Sequence, residues 1–339
     1  MAILKLMSHK SNNPLLRAIA SPAGRAFLAL LLVLFLGVIF NGDGAFFKIG
    51  THRDALRQAS VYGILACGMT LVIISGGIDL AVGSLLALTA VCCAKMAIHW
   101  NWSGWLVVPA CLLVGALSGG VSGFITARLH IQPFIATLSM MVLARGVAKY
   151  VAGGMKVSTA IMNPDGTYRY VDVPCLFRLV DNRILGGNLS VVTLIFAACV
   201  ALAWLMMAKH RWGSYLYAIG GNEEASRLSG VPVVAAKMMA YVFSGIFAAV
   251  AGICQAAQEQ QGDPEAGAGY ELMAIAMVVI GGTSLMGGRG GIGLTLLGVL
   301  TIGYLDKILS INAVPEAGRL MLTGIIIVVA VLTQRRKRT

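Results

Sequence analysis

Long apolar runs, separated by short stretches of Gly, Pro or charged residues, dominate the chain. A helix needs about 20 mainly apolar residues to cross the hydrocarbon core of a bilayer, and shorter cores serve when their ends extend into the interface. Ten candidate spans follow, with cores near 26–40, 57–75, 80–98, 104–127, 134–152, 189–208, 238–257, 272–287, 290–305 and 319–333. The first, eighth and ninth are short. Gly281-Gly282 and the run Gly287-Gly288-Arg289-Gly290-Gly291 mark the eighth and ninth as broken or re-entrant. Lipid tolerates such backbone only where protein or water satisfies its freed hydrogen bonds. The predicted fold is an all-α polytopic membrane protein of about ten transmembrane helices.

Two glycine-bracketed acidic turns, Ser75-Gly76-Gly77-Ile78-Asp79-Leu80 and Gly267-Ala268-Gly269-Tyr270-Glu271-Leu272, each lead into an apolar run, with their acids 192 positions apart (271 minus 79). Five helices per half would give the halves opposite orientation, a plan common in transporters. Asp79 would then lie at the inner end of helices two and three, and Glu271 at the outer end of helices seven and eight. Pro133 opening the fifth span and Pro315 preceding the tenth make a looser match. The expectation is two inverted five-helix repeats. On the fourth span, Gly115, Gly119 and Gly123 place small residues on one face, where another helix can approach closely.

Composition agrees: 58% hydrophobic and 12% charged residues exclude an ordinary soluble domain. The net charge of +12 is explained by topology, because cytoplasmic loops retain Lys and Arg during insertion. With the N-terminus inside, fourteen of the 26 basic residues face the cytoplasm: Lys5, Lys10, Arg17, Arg25, Arg128, Lys209, Arg211, Arg227, Lys237, Arg289, Arg335, Arg336, Lys337 and Arg338. The organisation predicted is a cytoplasmic tail at 1–25, one transmembrane domain at 26–333 with an outer loop at 153–188 and an inner loop at 209–237, and a basic cytoplasmic tail at 334–339. No soluble basic domain is present to bind nucleic acid. Asn41-Gly42-Asp43-Gly44-Ala45 is a poor cleavage site, so the first apolar run is expected to stay as a helix. Six of seven cysteines fall within spans, Cys175 being the exception, which implies neither a disulfide framework nor a metal site.

The inner loop 209–237 contains a short helix with both ends specified. Asn222 caps it, Glu223 and Glu224 occupy its first turn, Arg227 lies near its last, and Gly230 and Pro232 follow. Such a segment is either a linker or a lever for a soluble motor. The chain has no phosphate-binding loop of its own, since Gly282-Thr283-Ser284-Leu285-Met286-Gly287-Gly288-Arg289 lacks the lysine and hydroxyl of that motif. No nucleophile, base and orienting group occur together, so the chain is not expected to be an enzyme.

Several stretches resemble permeases of the ribose-type monosaccharide ABC importers. They are Leu56-Arg57-Gln58-Ala59-Ser60, Gly68 to Ser84, Gln132-Pro133-Phe134-Ile135-Ala136-Thr137-Leu138, Ala218-Ile219-Gly220-Gly221-Asn222 with Ser229-Gly230-Val231, and Val279 to Gly288. The resemblance runs from about residue 56 to the C-terminus. It implies a bacterial inner-membrane subunit that pairs with a second permease chain, as a homodimer or heterodimer. A separate cytoplasmic ABC ATPase would hold the ATP and magnesium, this chain carrying no cofactor. A periplasmic sugar-binding protein would deliver the monosaccharide. Within that picture Asn222, Glu223, Glu224, Arg227 and Gly230 form the ATPase-coupling element, and the loop 153–188 is the largest surface for the binding protein. Gly76, Gly77, Asp79, Phe134, Gly281 and Gly282 are candidates for the translocation path or its gate, with few polar contacts expected along it.

Two charges need separate readings. Asp79 either caps the helix that follows it or lines the conduit, and capping fits the Gly77 before it and the apolar run after it. Arg145 lies about 16 Å into its span, counting from Phe134 at 1.5 Å per residue, and needs an interior partner such as a carbonyl end or an acid. Lys149, one turn on, can snorkel outward, as can Lys95. The rival class is a secondary transporter driven by an ion gradient, which would need titratable groups at mid-span; only Arg145 qualifies. Within the ABC class, related permeases carry autoinducer sugars, nucleosides or branched-chain amino acids.

Overall fold

The computed structural model describes residues 21–162 and 165–334. Lys5, Lys10, Arg17 and the tail basic residues Arg335, Arg336, Lys337 and Arg338, on which the predicted topology partly rests, lie outside the described residues. The helices are α1 Pro22–Ile39, α2 Ile49–Ile74, α3 Val82–Ala94, α4 Gly104–Ala127, α5 Pro133–Ala152, α6 Cys175–Val180, α7 Val191–Lys209, α8 Arg211–Gly221, α9 Glu223–Leu228, α10 Val233–Glu259, α11 Tyr270–Gly281, α12 Ile292–Ile311 and α13 Glu316–Gln334. A π-helical stretch, Lys95–His99, extends α3.

Among the described residues, eight helices are long and apolar enough to cross a membrane: α1, α2, extended α3, α4, α5, α7, α10 and α12. The eighth apolar run does not continue through its glycines. α11 stops at Gly281, and Gly282 takes φ +108°, a conformation that suits glycine. Its 12 residues span about 18 Å, well short of a hydrocarbon core of about 30 Å.

Between α5 and α7 the chain is not purely helical. β1 Ala160–Met162 pairs antiparallel with β2 Tyr168–Tyr170, and β3 Arg183–Ile184 with β4 Leu189–Ser190. The expected all-α fold therefore carries two short hairpins. Just before β2, Asp165 accepts hydrogen bonds from the Thr167 amide and hydroxyl, and between β3 and β4 the residues Leu185, Gly186 and Gly187 all take positive φ. Ion pairs from Arg57 to Asp181 and from Arg183 to Asp54 fasten the loop to the first turns of α2.

The core is built around α2 and α10. Nearly every residue of α2 from Ala59 to Ile74 is buried, whereas α1, α4, α5 and α7 turn Leu, Phe, Val and Trp side chains outward. In lipid, apolar area alone does not sort helices, and close backbone approach does. α4 runs antiparallel to α10 through its glycine row. A Cβ on Gly115 would strike the Gly245 carbonyl, one on Gly119 the Tyr241 carbonyl, and one on Gly123 would sit 2.9 Å from the Met238 Cα.

Candidate translocation centre and coupling segment

Two interrupted helices meet near the middle of the bundle. Using α10 as a ruler, Asp79 bonds Ser244, and Gly252 lies against Leu86 and Thr89, so α3 starts about halfway along Val233–Glu259. From there α3 runs to Gly262, just beyond the C-terminus of α10. α11 also starts halfway, where Tyr270 packs against Tyr62 of α2 with ring centroids 4.4 Å apart and the rings tilted by 44°. It runs the other way, to the level where Gly281 abuts Leu294 and Gly282 faces Pro22. The two helix starts touch. A Cβ on Gly83 would collide with the Gly267 carbonyl and approach Glu271, and one on Gly267 would come 2.5 Å from the Gly83 carbonyl. Both N-termini thus point into one region, each with an acid in or just before its first turn, which complements the helix dipole.

The two acids do not lie at helix ends on opposite faces, as the sequence reading expects, because the chain turns back into the bundle after α2 and after α10. Asp79 is 1% exposed. One carboxylate oxygen accepts the Ala81 amide at 3.0 Å and the other accepts the Ser244 hydroxyl at 2.7 Å. The carboxylate therefore stabilises the turn into α3, while Ala81 occupies the cap position itself. Thr137 at the start of α5 donates to the Ile78 carbonyl at 3.2 Å. Gly77 lies against Tyr241, whose hydroxyl would be 2.5 Å from a Cβ there.

The non-helical segment 260–269 descends from the end of α10 to Gly267, and cations on and beyond α5 meet it at successive depths. Lys156 pairs with Asp263 at 2.9 Å, and Lys149 with Glu265 at 2.6 Å. Deepest, Arg145 donates from Nη1 to the carbonyls of Pro264 at 2.6 Å and Ala266 at 2.7 Å. A guanidinium suits this task because it supplies donors where non-helical, turn-forming backbone leaves acceptors unpaired. At the mouth, partial burial works against ionisation of Asp263, yet the Lys156 ammonium and the Glu265 amide hold its carboxyl below the usual range.

At the end of the bundle where α2 finishes, α8 leads through one residue into α9. Asn222 caps α9 by accepting the Ala225 amide at 2.9 Å, with Glu223 and Glu224 in the first turn. Arg227 reaches both acids, at 3.7 and 3.5 Å, and Lys237 of α10 holds Glu223. Gly230 takes φ +81° and Pro232 precedes α10. Outward-facing groups are Glu224 and Leu228, the latter 81% exposed. α8 itself is absent from the sequence reading, where Gly213, Gly220 and Gly221 obscure its pattern.

Of the other candidates, Gly76 takes φ +84° and lies beside Gly287, while Gly281 and Gly282 end α11. Phe134 stands 54% exposed on the first turn of α5. Gly267 opens the second acidic turn and Gly83 follows the first, but only their mutual approach in the fold makes them a contact. Leu228 and Lys237 carry no local signal as site residues, because the exposure of one and the ion pair of the other with Glu223 are set by the fold. Among the described residues no group of three or more His, Cys, Asp or Glu could hold a metal.

Residues 53–331 match the family described as branched-chain amino acid transport system / permease component. The chain is 39% identical over 308 residues to the ribose import permease protein RbsC of Haemophilus influenzae, covering 91% of each chain. It is 34% identical over 309 residues to the fructose import permease protein FruG of Bifidobacterium longum, covering 90% of this chain and 89% of that one. It is 35% identical over 279 residues to the L-arabinose transport system permease protein AraH of Escherichia coli, covering 82% and 80%. No solved structure matches. The chain belongs to this permease family.

Proposed function

We propose that this member of the permease family is the membrane subunit of an ATP-driven importer for a monosaccharide. The observation that carries the reading is the extended similarity, over about nine tenths of the chain, to permeases named for ribose and fructose. The family description mentions branched-chain amino acids, but the sugar permeases are the detailed match. The test is uptake of radiolabelled monosaccharides, with leucine alongside, into cells with and without the chain, repeated after the proton gradient is collapsed while ATP is maintained. Sugar uptake that needs the chain and survives collapse supports the proposal. Uptake that vanishes with the gradient assigns the chain to secondary transport, and uptake of leucine alone overturns the sugar.

Sugar would pass where α3 and α11 meet. Half-helices whose N-termini face a common mid-membrane region are a recurrent solution for transport paths, and here the two run to opposite ends of the bundle. This arrangement supports two inverted halves, with α11 and α13 completing ten membrane segments. Gly76, Gly77, Asp79, Gly281 and Gly282 would shape the path and its gate, joined by Gly83, Gly267 and Arg145. Phe134, on the outward face of α5, would border it only if a second permease chain closes the path there.

The α9 end would face the cytoplasm together with both termini, and α9 would dock a separate ATPase that holds ATP and magnesium. Glu224, Arg227 and Leu228 supply an exposed charged and apolar surface for that contact. The hairpin loop at the other end, with Tyr168 and Tyr170 exposed, would receive the periplasmic binding protein. Replacing Glu223, Glu224 and Arg227 together should leave the chain folded but release the ATPase on purification, and co-purification of an intact complex would refute docking through α9. Cysteine labelling at Asn182 should occur from outside only; labelling from the cytoplasm would invert the topology.

A further inference from the structure

The C-terminal end of α8 is wedged between the two interrupted parts of the bundle. A Cβ on Gly220 would collide at once with the Ile74 carbonyl, where α2 ends, and with the Gly288 amide in the connection from α11 to α12. These two segments are joined directly, since the Gly288 amide donates to the Ile74 carbonyl at 2.9 Å. On the neighbouring residues the fit is as close. A Cβ on Gly287 would sit 3.0 Å from both Gly220 Cα and the Gly76 nitrogen, and one on Gly288 would sit 2.8 Å from the Gly221 nitrogen. One turn back, the Tyr217 hydroxyl donates to the Gly290 carbonyl at 3.0 Å.

Three pieces of main chain thus meet with no side chain between them. A packed side chain can change rotamer and absorb a displacement, but a backbone against a backbone cannot. On one side of the contact, Ile74 opens the turn that carries Asp79 into α3. On the other, Gly287, Gly288 and Gly290 belong to the connection that leaves α11. α8 is tied in turn to α9 through Asn222, whose amide donates to the Ala218 carbonyl at 3.0 Å while its side chain caps α9.

We propose that the junction of Gly220 with Ile74 and Gly288 delivers a displacement of α9 to both half-helices at once, so that Gly220 is a positioning residue for coupled transport. This rests on the reading of α9 as the ATPase contact. It explains why a glycine is needed at 220, where the backbone is ordinary helix and φ makes no such demand.

The experiment uses the full chain assembled with its ATPase and binding protein in liposomes, reading sugar taken up per ATP hydrolysed. Gly220→Ala should leave the ATPase attached and hydrolysing while this ratio falls at least about tenfold, within the usual range of coupling free energies. Tyr217→Phe, which removes only a hydroxyl, should lower the ratio about fivefold, the weight of one net hydrogen bond. Should Gly220→Ala not assemble, Tyr217→Phe decides alone. An unchanged ratio in Tyr217→Phe, or in assembled Gly220→Ala, overturns the proposal. Failure of the α9 reading is a separate outcome, seen when the triple variant of Glu223, Glu224 and Arg227 keeps its ATPase.

Discussion

The turns into α3 and α11 occupy equivalent places in the bundle but are fastened in opposite ways. The turn before α3 is held by dry, short-range polar contacts: Asp79 to the Ala81 amide and the Ser244 hydroxyl, and Thr137 to the Ile78 carbonyl. The segment before α11 is held by cations partly open to solvent, with Lys149 and Glu265 49% and 64% exposed. Buried neutral or charged hydrogen bonds are costly to break because nothing replaces them, whereas exposed ion pairs exchange readily with water. In its local attachment the turn into α3 is the fixed side of the crossover and the segment before α11 the movable side, while the α8 junction acts on the two helices together.

Removing Asp79 should do the most damage. Asp79→Ala leaves the Ala81 amide and Ser244 hydroxyl without their buried acceptor, at a cost of about 2–4 kcal/mol. Thermal unfolding of the purified chain should show the loss, with Asp79→Asn retaining much of the stability; an unaffected Asp79→Ala would remove the fixed side from the comparison.

Gly83→Ala probes the contact itself. Its Cβ meets the Gly267 backbone, so the two helix starts must separate, at about 1–3 kcal/mol for overpacking. Uptake should fall more than stability does, and equal losses would mean that the contact is merely structural.

Arg145→Ala should act on the movable side. It frees the carbonyls of Pro264 and Ala266, and discounting for a guanidinium that is only partly buried the cost is about 1–2 kcal/mol. A cysteine placed at Ala266 should then react faster with a soluble maleimide, and Arg145→Lys should restore part of the protection. Unchanged labelling would show that the segment is held by its own backbone.

The smallest effect belongs to the Lys156–Asp263 pair at the mouth. Asp263 has its carboxyl held below its ordinary value, so its contribution is present above about pH 4 and is lost as pH falls through the lower folded value. Lys156→Ala should lower stability slightly at neutral pH, by no more than an exposed ion pair contributes, and shift the acid-side onset of Ala266→Cys labelling upward. A pH profile identical to that of the parent would exclude the pair from the clasp.

Spans such as 104–127 and 134–152 were legible because an apolar run of the right length has one outcome in lipid. The α9 helix was legible because its signals are local: a capping Asn222, acids in the first turn and Gly230 beyond its end. The depth of Asp79 and Glu271 was not, since a glycine turn reads alike at a membrane surface and in mid-bundle. For Arg145 the sequence showed the need for a partner, and the descent of segment 260–269 beside α5 supplied carbonyls rather than an acid.

By itself, then, the sequence determined the solvent, the helical character and the break at Gly281-Gly282, because burial of backbone in lipid admits few alternatives. It also carried the family, through stretches spread from residue 56 onward. Only the tertiary structure decided which glycines touch. Gly83 meets Gly267 across 184 positions (267 minus 83), and Gly220 meets Ile74 and Gly288, through contacts that depend on how distant helices cross. No local pattern encodes a crossing, because a residue without a side chain announces only that something can come close, and the fold selects what does.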